Sequence, residues 1–113
     1  MTEFGLDESL LRKIVSVIAK RLSVERAVIY GSRARGNFKN YSDIDIAISA
    51  PSMPGAEFSQ LAFDIDSLPI IFKMDIVHLE PLKNAPLKEK ILRDGKTIFE
   101  RSESPLPVGS PVG

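Results

Sequence analysis

Between residues 43 and 49 the chain alternates strictly, as Asp43-Ile44-Asp45-Ile46-Ala47-Ile48-Ser49. Successive side chains of a strand point to opposite faces, so this stretch reads as a strand with one isoleucine face and one carrying two carboxylates. The isoleucines need an apolar layer beneath them, which commits the fold to helices packed on a sheet. The carboxylates need a different explanation. A charge at Asp45, inside an otherwise apolar strand, is not required for solubility.

The surrounding segments fit that frame. Leu10, Leu11, Ile14, Ile18 and Leu22 recur at spacings of three and four, predicting an amphipathic helix over about residues 8–22. Asp7 is placed to cap it, with Leu6 and Leu11 as a hydrophobic staple. Ala27-Val28-Ile29-Tyr30 reads as a short buried strand ending at Gly31-Ser32, and residues 33–36 as one helical turn. Residues 37–42 are polar and loop-like. After the turn at Pro51–Gly55, Phe58, Leu61, Ala62, Ile65 and Leu68 mark a helix over 56–67 that stops at Pro69. Residues 70–79 suggest a third strand, 86–93 a short helix with Pro86 near its start and Gly95 past its end, and 97–100 a last extended piece. The fold class is therefore α/β (α+β): a small mixed sheet with helices mainly on one face. Residues 1–101 form the expected domain. Residues 102–113 hold three prolines and two glycines and are expected to be a flexible tail.

Composition removes several classes of function. Fifteen basic residues balance fifteen acidic ones, which argues against direct nucleic-acid binding. There is no cysteine, hence no disulfide and no thiolate metal site. No apolar run reaches the roughly 20 residues a membrane span needs, and MTEFGLDESL is not a secretory leader. The expected location is cytoplasmic.

The chemistry gathers in Gly31-Ser32-Arg33-Ala34-Arg35-Gly36 and, with ten residues intervening after Ser32, Asp43-Ile44-Asp45. Asp43 and Asp45 share a strand face with Cα atoms roughly 6.5–7 Å apart, close enough for both carboxylates to reach one or two cations. Asp75, in the strand-like run Phe72–Val77, joins them if the two strands are neighbours. Three close carboxylates raise one another's pKa unless cations neutralise them, and oxygen-only ligands favour Mg²⁺ or Mn²⁺ over zinc. Gly31 allows close backbone approach, and Ser32 opening a helical turn would present a hydroxyl and free N–H groups to phosphate. Each piece alone has a plainer reading. Gly-Ser is a common turn, Asp75 could pair with Lys73 or an arginine, and Asp64-Ile65-Asp66 shows that Asp-x-Asp also occurs on a helix, where the two side chains diverge. Only the ordered set points to phosphoryl-type transfer.

The run GSRARGNFKNYSDIDIAI resembles the signature of the polymerase-β-type nucleotidyltransferase superfamily, and in brevity the minimal nucleotidyltransferases (MNT). The resemblance spans about residues 27–79. It implies that Gly31 and Ser32 bind the β- and γ-phosphates of a nucleoside triphosphate, ATP by family precedent, and that Asp43 and Asp45 ligate two divalent ions. It further implies that Asp75 holds the catalytic ion and helps activate the acceptor hydroxyl. Arg33 leans either towards the phosphates or, like Arg35, towards solvent or a partner. Lys73 shares a face with Asp75 and could reach a nucleotide; His78, Tyr30 and Tyr41 read as structural or loop residues. Larger members carry a further domain for the acceptor, for which this chain has no room, so the acceptor surface is expected from a homodimer or a hetero-oligomer. Family precedent implies a small helical HEPN-type protein, with the nucleotidyltransferase as antitoxin adenylylating its partner. The alternative is a non-catalytic nucleotide-binding module that neutralises such a partner by occlusion.

Overall fold

The computed structural model describes residues 2–39 and 41–101; the expected tail at 102–113 lies outside the described residues. The chain runs β1 (Thr2–Glu3), β2 (Leu6–Asp7), α1 (Glu8–Ala19), β3 (Arg26–Tyr30), α2 (Ser32–Arg35), β4 (Ile44–Ser49), α3 (Gly55–Asp66), β5 (Met74–His78), α4 (Ala85–Asp94) and β6 (Lys96–Glu100). The last four strands in sequence after the N-terminal pair form one mixed sheet in the order β5-β4-β3-β6. β3 pairs antiparallel with both β4 and β6, whereas β4 and β5 run parallel across the α3 crossover.

Alternation divides this sheet as the β4 sequence implies. Ala27, Ile29, Ile44, Ile46 and Ile48 point into the main core, where Leu11, Ile14 and Ile18 of α1 and Leu61 and Ile65 of α3 meet them. The three β4 isoleucines are fully buried, each contributing about 1.5–3 kcal/mol. Val28, Tyr30 and Ala47 point the other way, and α4 covers them with Ile91 and the partly buried Leu87. Asn84 caps α4 by accepting from the Leu87 N–H at 3.1 Å.

Several local expectations shift. Leu22, assigned by spacing to the α1 stripe, is 79% exposed, because the helix stops at Ala19. Arg101 ends it, its guanidinium donating to the carbonyls of Ala19, Arg21 and Val24 at 3.0–3.2 Å. Asp7 occupies the N-cap position without a capping bond and instead accepts from the Ser9 hydroxyl. β5 begins at Met74 rather than residue 70; the chain turns at Leu68–Ile70 and leaves Ile71 94% exposed. The hairpin β1–β2 has no counterpart in the sequence reading. Its turn residues Phe4 and Gly5 both have positive φ (58° and 71°), the signature of the two-residue turn that matches strand twist.

Candidate active site

β3, β4 and β5 bring one residue each to a single row across the sheet. Tyr30 lies opposite Asp45 in the antiparallel pair, and Asp45 lies opposite Asp75 in the parallel pair. Adjacent strands stand about 4.8 Å apart, so this row sets two carboxylates and a phenol side by side. Asp43 sits two residues before Asp45, just ahead of β4. The row lies on the face away from the isoleucine core, beside α4.

The chain reverses at the end of this row. Gly31 has φ 79° and ψ −155°, a conformation that only glycine adopts without strain. A Cβ at that position would come within 2.6 Å of Asp45 Oδ2. Both backbone angle and space therefore demand glycine, and the Gly31 backbone stands directly against the Asp45 carboxylate. α2 starts at the next residue, with Arg35 N–H donating to the Gly31 carbonyl and Gly36, at φ 89°, closing the turn on Ser32 O.

Electrostatics mark this row as unfinished. Among the described residues, Ser32 Oγ and the carboxylates of Asp43, Asp45 and Asp75 make no hydrogen bond or ion pair. Burial pushes the Asp45 carboxyl above its ordinary pKa, and the charges of Asp75 and Asp43 push it further, against a smaller opposing pull from Lys90. The same causes act on Tyr30, whose phenol is pushed up to about 12 by burial and then by Asp45 and Asp75. Among the described residues no three His, Asp or Glu side chains are placed to hold one metal ion together, so the expected set of Asp43, Asp45 and Asp75 is not assembled as a ligand group.

A glycine-serine turn thus stands beside two carboxylates in register on neighbouring strands. Residues 12–104 match the family described as Polymerase beta, Nucleotidyltransferase. The chain belongs to that family. It is 33% identical over 75 residues to a candidate protein adenylyltransferase of Methanocaldococcus jannaschii, covering 58% of this chain and 75% of that protein. Its fold is shared with a chain of the complex between the tri-AMPylated HEPN toxin of Shewanella oneidensis and its MNT antitoxin (TM-score 0.64, 21% identity, 85% of this chain and 74% of that one). It is equally shared with a toxin–antitoxin structure containing AMP-PNP (TM-score 0.65, 22% identity, 86% and 76% covered).

Not every residue of the nucleotidyltransferase reading stands at the row. Arg33 differs from the expectation of a phosphate-facing or solvated side chain: it is 2% exposed. Its Nε and NH2 donate to the Ser42 carbonyl at 3.1 and 2.9 Å, and NH1 donates to Phe4 O at 3.0 Å. Its plane lies over the rings of Phe72 and Phe38. Arg33 thus ties α2 to the β1–β2 turn and to the residue preceding Asp43, and its guanidinium is occupied there. Arg35 pairs with Asp94 of α4 at 3.4 Å. Lys73 lines a groove beside α3, with Ala62, Phe63, Asp66, Met74 and Ile76. His78 faces away from the row, stacked on Phe58 and hydrogen-bonded to Ala50 O at 2.9 Å. Asp64, one half of the helical Asp-x-Asp, is bound by Arg21 at 3.0 Å and by Gln60.

Sequence reasoning missed Lys90 as a neighbour of the row. The spacing of Leu87 and Ile91 identifies the packed stripe of α4 and so places Lys90 on its flank. Which surface that flank overlooks depends on how α4 docks, and no local pattern encodes it.

Proposed function

We propose that this chain is a metal-dependent nucleotidyltransferase that transfers AMP from ATP to a hydroxyl on a partner protein. The proposed partner is a small helical HEPN-type protein, with this chain as the antitoxin of the pair. The observation that carries the reading is the row itself: Asp45 in register with Asp75, touched by the Gly31 backbone, and raised in pKa by its acidic neighbours. Packing alone gives no reason to retain such a set. A cation would relieve the repulsion, and the all-oxygen donors suit Mg²⁺ or Mn²⁺.

In this reading Ser32 and the Gly31 backbone hold the β- and γ-phosphates. Asp43, Asp45 and Asp75 would hold two divalent ions, which supply neutralisation of the triphosphate and a lower pKa for the attacking hydroxyl. Asp75 is exposed and lies on the sheet's edge strand, so an acceptor can reach it from solvent. The acceptor oxygen attacks the α-phosphorus, its bond to the β-phosphate bridging oxygen breaks, and pyrophosphate leaves; the hydroxyl proton passes to solvent by way of Asp75. Tyr30, its phenol pushed up to about 12 by burial and the neighbouring carboxylates, is not an ionised nucleophile at neutral pH. Its buried ring forms the floor beside Asp45. Among the described residues no helix is long and apolar enough to cross a membrane; cytoplasmic action is part of the proposal.

The test mixes the chain with α-labelled ATP, Mg²⁺ and host lysate, beside Asp45→Asn. Label on a protein band with the wild type alone would establish adenylyl transfer and name the acceptor. Nucleotide binding with no transferred label would instead favour a module that neutralises its partner by occlusion.

A further inference from the structure

We infer that Lys90 of α4 is a positioning residue of the nucleotide site, docking an anionic oxygen of the triphosphate against the carboxylate row. This rests on the nucleotidyltransferase reading and adds to it a residue on an element outside the Gly-Ser and Asp-x-Asp signature.

The placement follows from how α4 is held. Leu87 and Ile91, one turn apart, pack on Val28, Tyr30 and Ala47, the face that carries Asp45. At about 100° per residue, Lys90 and Asp94 fall on one flank of that stripe and Lys88 on the other. The direction of the first flank is fixed by a contact. Asp94 Oδ2 meets Arg35 NH1 at 3.4 Å, and Arg35 belongs to the turn that begins at Gly31-Ser32. Lys90, one turn earlier on the same flank, therefore stands on the side of α4 that looks towards the row. Helical side chains lean back towards the N-terminus, which carries its ammonium away from the Arg35–Asp94 pair.

Lys90 is half-buried, yet among the described residues its ammonium makes no hydrogen bond or ion pair. Arg21, Arg35 and Arg93, by contrast, each have a carboxylate within 4.0 Å. A triphosphate brought to three carboxylates carries its own negative charge into a negative site. A half-buried lysine on this flank, with no carboxylate partner among the described residues, can take a phosphate oxygen without first breaking a salt bridge.

The test is calorimetric binding of Mg·ATP to the full chain, with adenosine as a probe lacking phosphate, for wild type, Lys90→Ala, Lys90→Arg and Lys88→Ala. Lys90→Ala should weaken Mg·ATP by about tenfold or more and leave adenosine and the melting temperature unchanged. Lys90→Arg should restore most of the affinity, and Lys88→Ala should match wild type. Should Lys90→Ala melt lower, Lys90→Gln keeps the side-chain bulk and removes only the charge. Unchanged Mg·ATP affinity in Lys90→Ala, or equal losses for ATP and adenosine, would overturn the inference while leaving the nucleotidyltransferase reading in place. A wild type that binds no Mg·ATP would overturn both.

Discussion

The two faces of the four-stranded sheet are built from alternate residues of the same strands and obey opposite rules. On one, Ile29, Ile44, Ile46 and Ile48 are fully buried and meet α1 and α3. On the other, Asp45 and Asp75 face each other across paired strands, and among the described residues their carboxylates make no hydrogen bond or ion pair. The first face is finished by folding. The second is left in a state that folding does not improve, and the proposed function is what would complete it. One strand of six residues, β4, serves both, because its side chains alternate and so each face can be changed without altering the other's composition.

That independence can be broken experimentally. The largest effect should come from Asp45→Asn, which keeps shape and removes charge. Transfer should fall by about a thousandfold or more in the labelling assay, as expected for loss of a metal-holding and charge-placing group. Circular dichroism should remain that of the wild type, and wild-type transfer by the variant would remove Asp45 from the chemistry. On the opposite face, Ile46→Ala should lower the unfolding free energy by about 2–5 kcal/mol in urea titration. A cost below about 1 kcal/mol would mean that this core is not packed as described.

Between these lies Gly31, where the end of β3 meets the Asp45 carboxylate. Gly31→Ala puts a Cβ where φ is 79° and where Asp45 Oδ2 stands 2.6 Å away. It should cost about 1–3 kcal/mol of stability and also weaken Mg·ATP binding. Loss of stability with unaltered nucleotide binding would separate the turn from the site.

Smaller, and sharper, are the effects of cation and pH. Mg²⁺ at ten times its dissociation constant should stabilise the wild type by about 1.4 kcal/mol, a few degrees in a melting scan, and Asp45→Asn by much less. The pH dependence follows from the sign of the shift. Asp45's carboxyl is raised in the folded chain, so the folded state holds its proton more tightly than the unfolded state does. Its contribution to stability is thus present at low pH and is lost as pH rises from the ordinary carboxylate range through the raised folded value. Without Mg²⁺, wild type should lose stability relative to Asp45→Asn over that interval, and a loss in the opposite direction would contradict the electrostatic picture.

Much of this molecule was legible in its sequence because alternation and spacing act locally. The run Asp43–Ser49 declares its strand and both its faces, and Leu11, Ile14 and Ile18 declare the buried side of α1. What local pattern could not supply was where neighbours lie. Leu22 continues the helical spacing but not the helix, since Arg101, eighty residues away from Arg21, takes the terminal carbonyls. The β1–β2 hairpin hides because Phe4-Gly5 lacks the Asn-Gly or Asp-Gly pair that usually signals such a turn. Arg33 reads as a solvated or phosphate-seeking arginine until Phe4, Phe38, Ser42 and Phe72 are seen to converge on it from separate segments. For the candidate site, Gly31, Ser32, Asp43, Asp45 and Asp75 could be proposed from order and spacing, whereas Lys90 required the docked position of α4.

The parallel register of β4 and β5 has a consequence for the order in which competence is acquired. Asp45 and Asp75 are thirty residues apart in the chain and become partners only after α3 has crossed the sheet. Non-local strand pairs of this kind are among the costlier steps of chain closure. A chain still emerging or only partly collapsed holds two separate carboxylate groups, neither of which constitutes the row. Capacity to gather cations should therefore appear together with the finished sheet, making ion affinity a report on whether the whole domain is assembled.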